Sequence, residues 1–148
     1  MFRVQTDDFD VGTELAHLTT GRTDVGGLAT FLGFVRGHRQ ADSAPLVTMT
    51  IEHYPGMIER QLAAMEAEAR RRWLLCDLLI IHRIGQLRPG ERIVLVATAA
   101  EHRAAAFEAC QFLIDWLKTR APLWKREETI NDSIWIKPCI LDTTAVTG

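Results

Sequence analysis

The sequence predicts an α+β domain built on a largely antiparallel sheet with two long helices. Three observations lead there. Strand-like runs are punctuated by turn signals, as antiparallel neighbours require. Two longer segments, one opened by Tyr54-Pro55-Gly56 and one from about His102 to Arg120, repeat apolar residues at helical spacing. The chain has 148 residues, 47% of them hydrophobic, which suits one domain with its own core. A chain of this size buries roughly two-thirds of its unfolded surface and needs no disulfide or metal staple. The domain is expected over residues 1–138, with 139–148 as a loose C-terminal tail.

Phe2 to Gln5 reads as a short edge strand. Asp10 is a helix N-cap, and the helix it starts runs through Leu18 and ends near Gly21. Val25 to Val35 reads as a strand in which Gly26, Gly27 and Gly33 predict a bulge or a close backbone approach. Gly37 to Pro45 is a polar loop. Leu46 to His53 alternates, with Val47, Met49 and Ile51 on one face. Pro55 fits the first turn of the next helix, where its missing N–H costs nothing. Ile58, Leu62, Met65 and Ala69 form that helix's apolar stripe, with Glu59, Glu66 and Arg70 in water.

Asp77 to Ile84 and Arg92 to Ala99 read as a strand pair. The Leu87-Arg88-Pro89-Gly90 segment between them has the residue order of a type II turn. The second long helix should bury Phe107, Cys110, Leu113, Ile114 and Leu117, and Pro122 stops it. Leu123 to Ile130 and Ser133 to Lys137 form a closing hairpin around Asn131-Asp132.

Composition excludes several functions. There are 17 Lys+Arg against 19 Asp+Glu, for a net charge of −2, and nucleic-acid binders usually carry a strong basic excess. Cys76, Cys110 and Cys139 form no C-x-x-C pair, so neither a zinc knuckle nor a disulfide framework is expected, and no metal is assigned. The N-terminus lacks a signal peptide's apolar stretch. The longest near-apolar run, Ile93 to Ala100, is far short of the roughly 20 residues that span a bilayer. No membrane partner and a cytoplasmic location are expected. No G-x-S-x-G, Walker A or G-x-G-x-x-G motif occurs.

Three places could hold chemistry. Phe31 to Arg39 delivers Arg36, His38 and Arg39 to one loop, and the arginine fork grips phosphate or carboxylate. Glu101-His102-Arg103 opens the long helix, where free N–H groups and the dipole favour anions. The third is Leu117 to Glu128. Arginines outnumber lysines 14 to 3, yet Lys118 and Lys125 both fall in this segment. Lysine differs from arginine in that burial or neighbouring cations can strip its proton. A turn at Pro122 can bring the two amines to one pocket. The plainer reading is that Lys118 complements the helix dipole. His82, inside an apolar strand, reads as a hydrogen-bonded core histidine.

These blocks together resemble a known family. Phe31-x-Gly33-x-Val35-Arg36, Glu52-His53-Tyr54-Pro55-Gly56-Met57, Ile81-His82-Arg83-Ile84-Gly85, His102-Arg103 and Lys118-Thr119-Arg120-Ala121-Pro122-x-Trp124-Lys125-Arg126-Glu127 are similar to the large, catalytic subunit of molybdopterin synthase. They occur in family order over roughly residues 25 to 130. The resemblance implies an α/β-hammerhead fold and a homodimer within a heterotetramer. It implies a small ubiquitin-like sulfur-carrier subunit whose C-terminal Gly-Gly bears a thiocarboxylate. It also implies sulfurtransferase activity, converting cyclic pyranopterin monophosphate into the molybdopterin dithiolene for molybdenum cofactor biosynthesis, with no cofactor or metal in the enzyme.

By the same resemblance Lys118 and Lys125 are the catalytic residues, Lys118 at the reacting end of the carrier tail and Lys125 on the pterin side. Arg36, His102 and Arg103 bind the substrate, the last two reaching a neighbouring subunit's pocket. Phe34, Val35, Arg126 and Glu127 line the substrate site, and Phe31 and Ile114 wall the carrier-tail pocket. Two other readings stay open: a non-catalytic scaffold for the same carrier, and a general phosphate-ligand binder.

Overall fold

The computed structural model describes residues 1–38, 44–130 and 132–136. In chain order its elements are β1 (Phe2–Gln5), α1 (Val11–Thr19), β2 (Gly27–Phe34), β3 (Leu46–His53), α2 (Met57–Arg72), β4 (Asp77–Arg83), β5 (Gly85–Leu87), β6 (Arg92–Ala100), α3 (Arg103–Thr119), β7 (Leu123–Thr129) and β8 (Ser133–Ile136). The predicted α+β class holds. The single expected sheet is in fact two, each of four strands, with orders β1-β4-β6-β2 and β5-β3-β7-β8. All their pairings are antiparallel except the one joining edge strand β1 to β4.

The β4 and β6 runs are almost continuously apolar because both faces of the first sheet are covered. Leu78 and Ile80 of β4, with Val94 and Val96 of β6, join the larger core under α2 and α3. Their neighbours Leu79, Ile81, Leu95 and Ala97 point the other way, into a smaller core with Phe9 and Leu18 beneath α1. This is the strand period of two applied to a two-sided sheet. Asp10 caps α1 as expected, its carboxylate accepting from the Thr13 N–H at 2.8 Å. Ile58, Leu62, Met65 and Ala69 are fully buried along α2.

Four sequence expectations need correction. The β4–β6 pair forms, but the segment between them is more than a turn. Gly85 takes φ +89°, a left-handed conformation that a Cβ disfavours, and swings β5 away to pair with β3 in the second sheet. Val47 does not share a face with Met49 and Ile51: a register shift between Leu46 and Thr48 turns it out to 49% exposure. Phe107 is 66% exposed, and Ala106, Ala109 and Phe112 fill the buried face of α3 instead. Helix α2 begins one turn position later than expected. Gly56 is its N-cap and Pro55 precedes it; the Glu59 carboxylate accepts from the Gly56 N–H at 2.6 Å. Helix α3 runs as expected, from Arg103 to Thr119 with His102 and Arg120 as its caps.

The glycines of β2 behave as their sequence implied. A Cβ on Gly26 would lie 1.9 Å from the Glu101 carbonyl oxygen, and the strand register slips between Gly33 and Phe34. The closing hairpin is present as β7 and β8. Residues 39–43, Asn131 and 137–148, the expected tail among them, lie outside the described residues.

Candidate active site

Three local structures converge where the two sheets meet the C-terminal end of α3. The first is the end of β2. The Val35 N–H donates to the Glu91 carbonyl at 2.9 Å, and the Val35 carbonyl accepts from Gly90 at 2.8 Å. That pair of bonds turns Val35 inward, to 2% exposure, and sends Arg36 out on the other side. The second is the last turn of α3, where Ile114 and Lys118 are spaced i, i+4 and share one face. The third is β7, in which Leu123, Lys125 and Glu127 alternate onto one face. The chain passes from α3 to β7 in a few residues: Arg120 caps the helix through a 2.8 Å bond to the Trp116 carbonyl, and the Leu123 N–H donates to Ala121 at 2.8 Å.

The result is a cleft of about 730 Å³ that both lysines line. Phe31, Phe34 and Ile114 supply apolar wall; Arg36, His38 and Glu127 supply charged or polar groups. A volume in this range takes a small molecule or a few residues of extended peptide. Lys125 is half-buried. Burial holds its ammonium below the usual lysine range, Lys118 and Arg36 push it the same way, and Glu127 opposes them. An amine held so gives up its proton more readily than an ordinary lysine.

Four expected site residues do not line this cleft. Val35 is packed in the core beneath it. Arg126 sits on the opposite face of β7, ion-paired to Glu128 at 3.0 Å and stacked 5.4 Å over the Trp135 ring. His102 and Arg103 sit at the other end of α3 from Lys118, about 22 Å away at 1.5 Å per residue. Gly27, which packs against Arg103, is likewise at the far end of β2 from Phe34. No ligand of pterin size spans that distance within one chain.

One lining residue was read from sequence as a core histidine only. His82 is indeed buried, 5% exposed, yet it forms part of the cleft wall. The signal was its parity: it shares a face of β4 with Leu78 and Ile80, the face turned toward α3 and the second sheet. Its neighbour Arg83 takes the other face and is equally buried. The Arg83 guanidinium donates to the Thr6 carbonyl at 3.1 and 3.2 Å and to the Arg92 carbonyl at 3.0 Å, with Glu91 3.6 Å away. Cys110 is a core residue whose thiol burial pushes up to about 11. Among the described residues no group of three His, Cys, Asp or Glu side chains could hold a metal ion, and no helix is long and apolar enough to cross a membrane.

A family model described as MoaE protein matches residues 4–120. A molybdopterin synthase catalytic subunit from Ralstonia nicotianae is 46% identical over 144 residues, covering 97% of this chain and 81% of its own, so the likeness extends past Lys125. The molybdopterin biosynthesis MoaE protein from Burkholderia ambifaria has a solved structure with TM-score 0.84 and 44% identity, covering 99% of this chain and 95% of that one. A protein–protein complex of subunits 1 and 2 of molybdopterin-converting factor from Helicobacter pylori shares the fold, with TM-score 0.74 at 20% identity over 92% of this chain and 90% of that one. On fold, motif order and whole-chain similarity together, the chain belongs to the MoaE family and is a catalytic subunit of molybdopterin synthase.

Proposed function

We propose that the cleft between the sheets is where sulfur passes from the C-terminal Gly-Gly thiocarboxylate of a small ubiquitin-like carrier to cyclic pyranopterin monophosphate. The observation that carries this reading is the pair Lys118 and Lys125 lining one cleft, close enough that the Lys118 charge pushes the Lys125 ammonium below the usual lysine range. The carrier tail is extended and anionic, which suits a slot walled by Phe31 and Ile114 and floored by cations. The carrier thiocarboxylate sulfur attacks an oxygen-bearing carbon of the pterin side chain. The C–O bond at that carbon breaks and its oxygen leaves with a proton. A second carrier delivers the second sulfur to the neighbouring carbon in the same way. Water then cleaves the acyl carbon–sulfur bond and leaves a carboxylate on the carrier. Lys118, at the tail end, stabilises the oxyanion of that hydrolysis. Lys125, on the pterin side, moves the proton that the carbon–sulfur step requires. Arg36 grips the phosphate, Phe34 packs on the pterin, and Glu127 orients Lys125.

His102 and Arg103 fit a different place in the same scheme. They are exposed at the far end of α3, so in a homodimer within a heterotetramer they serve the cleft of the second copy. Val35 and Arg126 support the site from behind, through the core and through the back of β7.

Reconstitution tests the reading. Purified chain, thiocarboxylated carrier and cyclic pyranopterin monophosphate should yield the dithiolene. Lys118→Ala and Lys125→Ala should each lower turnover by about 10²-fold or more, with circular dichroism and carrier binding unchanged. Undiminished turnover in both variants assigns the chain a scaffolding part instead. Turnover without a thiocarboxylated partner points to a general phosphate-ligand site.

A further inference from the structure

The Ile81-His82-Arg83-Ile84-Gly85 motif contains a buried cation that the proposed reaction does not use. Arg83 is 6% exposed, and a charge is kept inside a protein only where its donors find partners. Its Nε and Nη2 both donate to the Thr6 carbonyl, and its Nη1 donates to the Arg92 carbonyl at 3.0 Å. Nη1 also lies 3.6 Å from one Glu91 carboxylate oxygen. Asp8 is more distant at 3.9 Å, and its carboxylate is taken by Arg92 at 2.7 and 3.0 Å. Holding two carbonyls and a carboxylate at once takes the flat, five-donor fork of arginine, which a lysine ammonium does not reproduce.

What Arg83 grips leads to the cleft. The other Glu91 carboxylate oxygen accepts from the Arg88 N–H at 2.5 Å, and the Glu91 N–H donates to the Arg88 carbonyl at 3.1 Å. The turn from Arg88 to Glu91 is thus closed by backbone and side chain together, with Arg83 behind it. The same turn holds Val35: the Glu91 carbonyl accepts from the Val35 N–H at 2.9 Å, and the Gly90 N–H donates to the Val35 carbonyl at 2.8 Å. The β2–β6 register has slipped just before, between Gly33 and Phe34, so these two bonds set the direction of the chain as it leaves the sheet. On the other side of Arg36, the Gly37 carbonyl accepts from the Leu46 N–H at 2.7 Å. Arg36 therefore stands between two pinned residues, and it lines the cleft.

We propose that Arg83 is a positioning residue for Arg36: through Glu91 and Arg92 it fixes the turn that holds Val35, and so sets where the Arg36 guanidinium stands in the cleft. An arginine's grip on phosphate depends on the placement of its fork, and a displacement of about 1 Å can cost about 10²-fold. A long exposed side chain is placed chiefly through its backbone, and here that backbone is tied to a buried cation. The inference rests on the reading of Arg36 as the phosphate-binding residue, and the test separates the two.

Two variants loosen the link at different points. Arg83→Lys keeps the buried charge and removes the fork. Glu91→Ala removes the carboxylate held by Arg83 and the Arg88 N–H; the Glu91 side chain is 41% exposed, so this variant carries the test even where R83K does not fold. Hydrogen exchange of the Val35 amide reads the link directly and needs no substrate. It should quicken by about tenfold in both variants, ahead of any change in global stability. An unmoved Val35 amide in folded E91A overturns the proposal.

Turnover in the reconstituted system supplies the second readout. In E91A and R83K the KM for cyclic pyranopterin monophosphate should rise by about tenfold, with kcat at saturation within about twofold. A double-mutant cycle then asks whether the effect passes through Arg36. In an Arg36→Ala background, E91A and R83K should add nothing further to KM. Effects that add in full, or a loss of kcat with KM held, assign Arg83 to the fold alone and overturn the positioning role. A wild-type KM in R36A by itself refutes the phosphate reading of Arg36 and leaves the Val35 exchange result standing.

Discussion

Single side chains in this protein take their character from which face of a strand or helix they occupy. Lys125 and Arg126 are neighbours in sequence, yet one lines the cleft and the other stacks on Trp135. His82 and Arg83 repeat the pattern on β4. The histidine also has a consequence for stability. Its folded pKa lies at about 4 against an ordinary 6.5, so over that window the unfolded chain binds a proton that the folded chain refuses. Above pH 6.5 the contribution is constant. As pH falls from 6.5 toward 4 stability should drop, by about 3 kcal/mol over the whole window. Denaturant titrations of wild type and His82→Gln at pH 7 and pH 4.5 check this: the variant should lose part of the wild-type acid sensitivity. Parallel slopes in the two proteins would contradict it.

At the scale of elements, helical spacing located α2 and α3 but assigned one face residue wrongly. Phe107 looked like core by hydrophobicity, whereas the small residues Ala106 and Ala109 are the ones that let α3 lie close against the first sheet. Their size is the reason: close packing of helix on sheet favours small side chains at the contact and leaves a bulky ring at the margin. Leu113→Ala removes a fully buried side chain and should cost about 2–5 kcal/mol in chemical denaturation. Phe107→Ala, at 66% exposure, should change the stability of the isolated chain by no more than about 0.5 kcal/mol. Equal losses in the two variants would place the helix face differently. Val47 carries the same lesson for strands, since period-two counting runs through a bulge without seeing it.

For the molecule as a whole, the cleft exists because one chain builds two sheets and sets them against the end of one helix. The hinge of that arrangement is Gly85, which turns the chain from β4 in the first sheet to β5 in the second at φ +89°. Gly85→Ala forces a Cβ into left-handed backbone and should cost about 1–2 kcal/mol. Because Lys125 comes from the second sheet, and Arg36 and Lys118 from the first sheet and the helix packed on it, the same variant should lower turnover more than it lowers the folded fraction at 25 °C. Turnover that falls only in proportion to folded protein would locate the strain away from the site.

The amino-acid sequence by itself determined the α+β class, the edge strand, the capped first helix, the α2 stripe and the closing hairpin, because each follows from local periodicity and turn chemistry. Motif order was enough to name the family and to single out Lys118 and Lys125. Only the tertiary structure decided that there are two sheets, that Arg36, His82 and the two lysines share one cleft, and that His102 and Arg103 stand a helix length away. Those relations are set by long-range strand pairing through Gly85 and by the direction in which α3 runs, and neither is encoded in the spacing of residues along any one element.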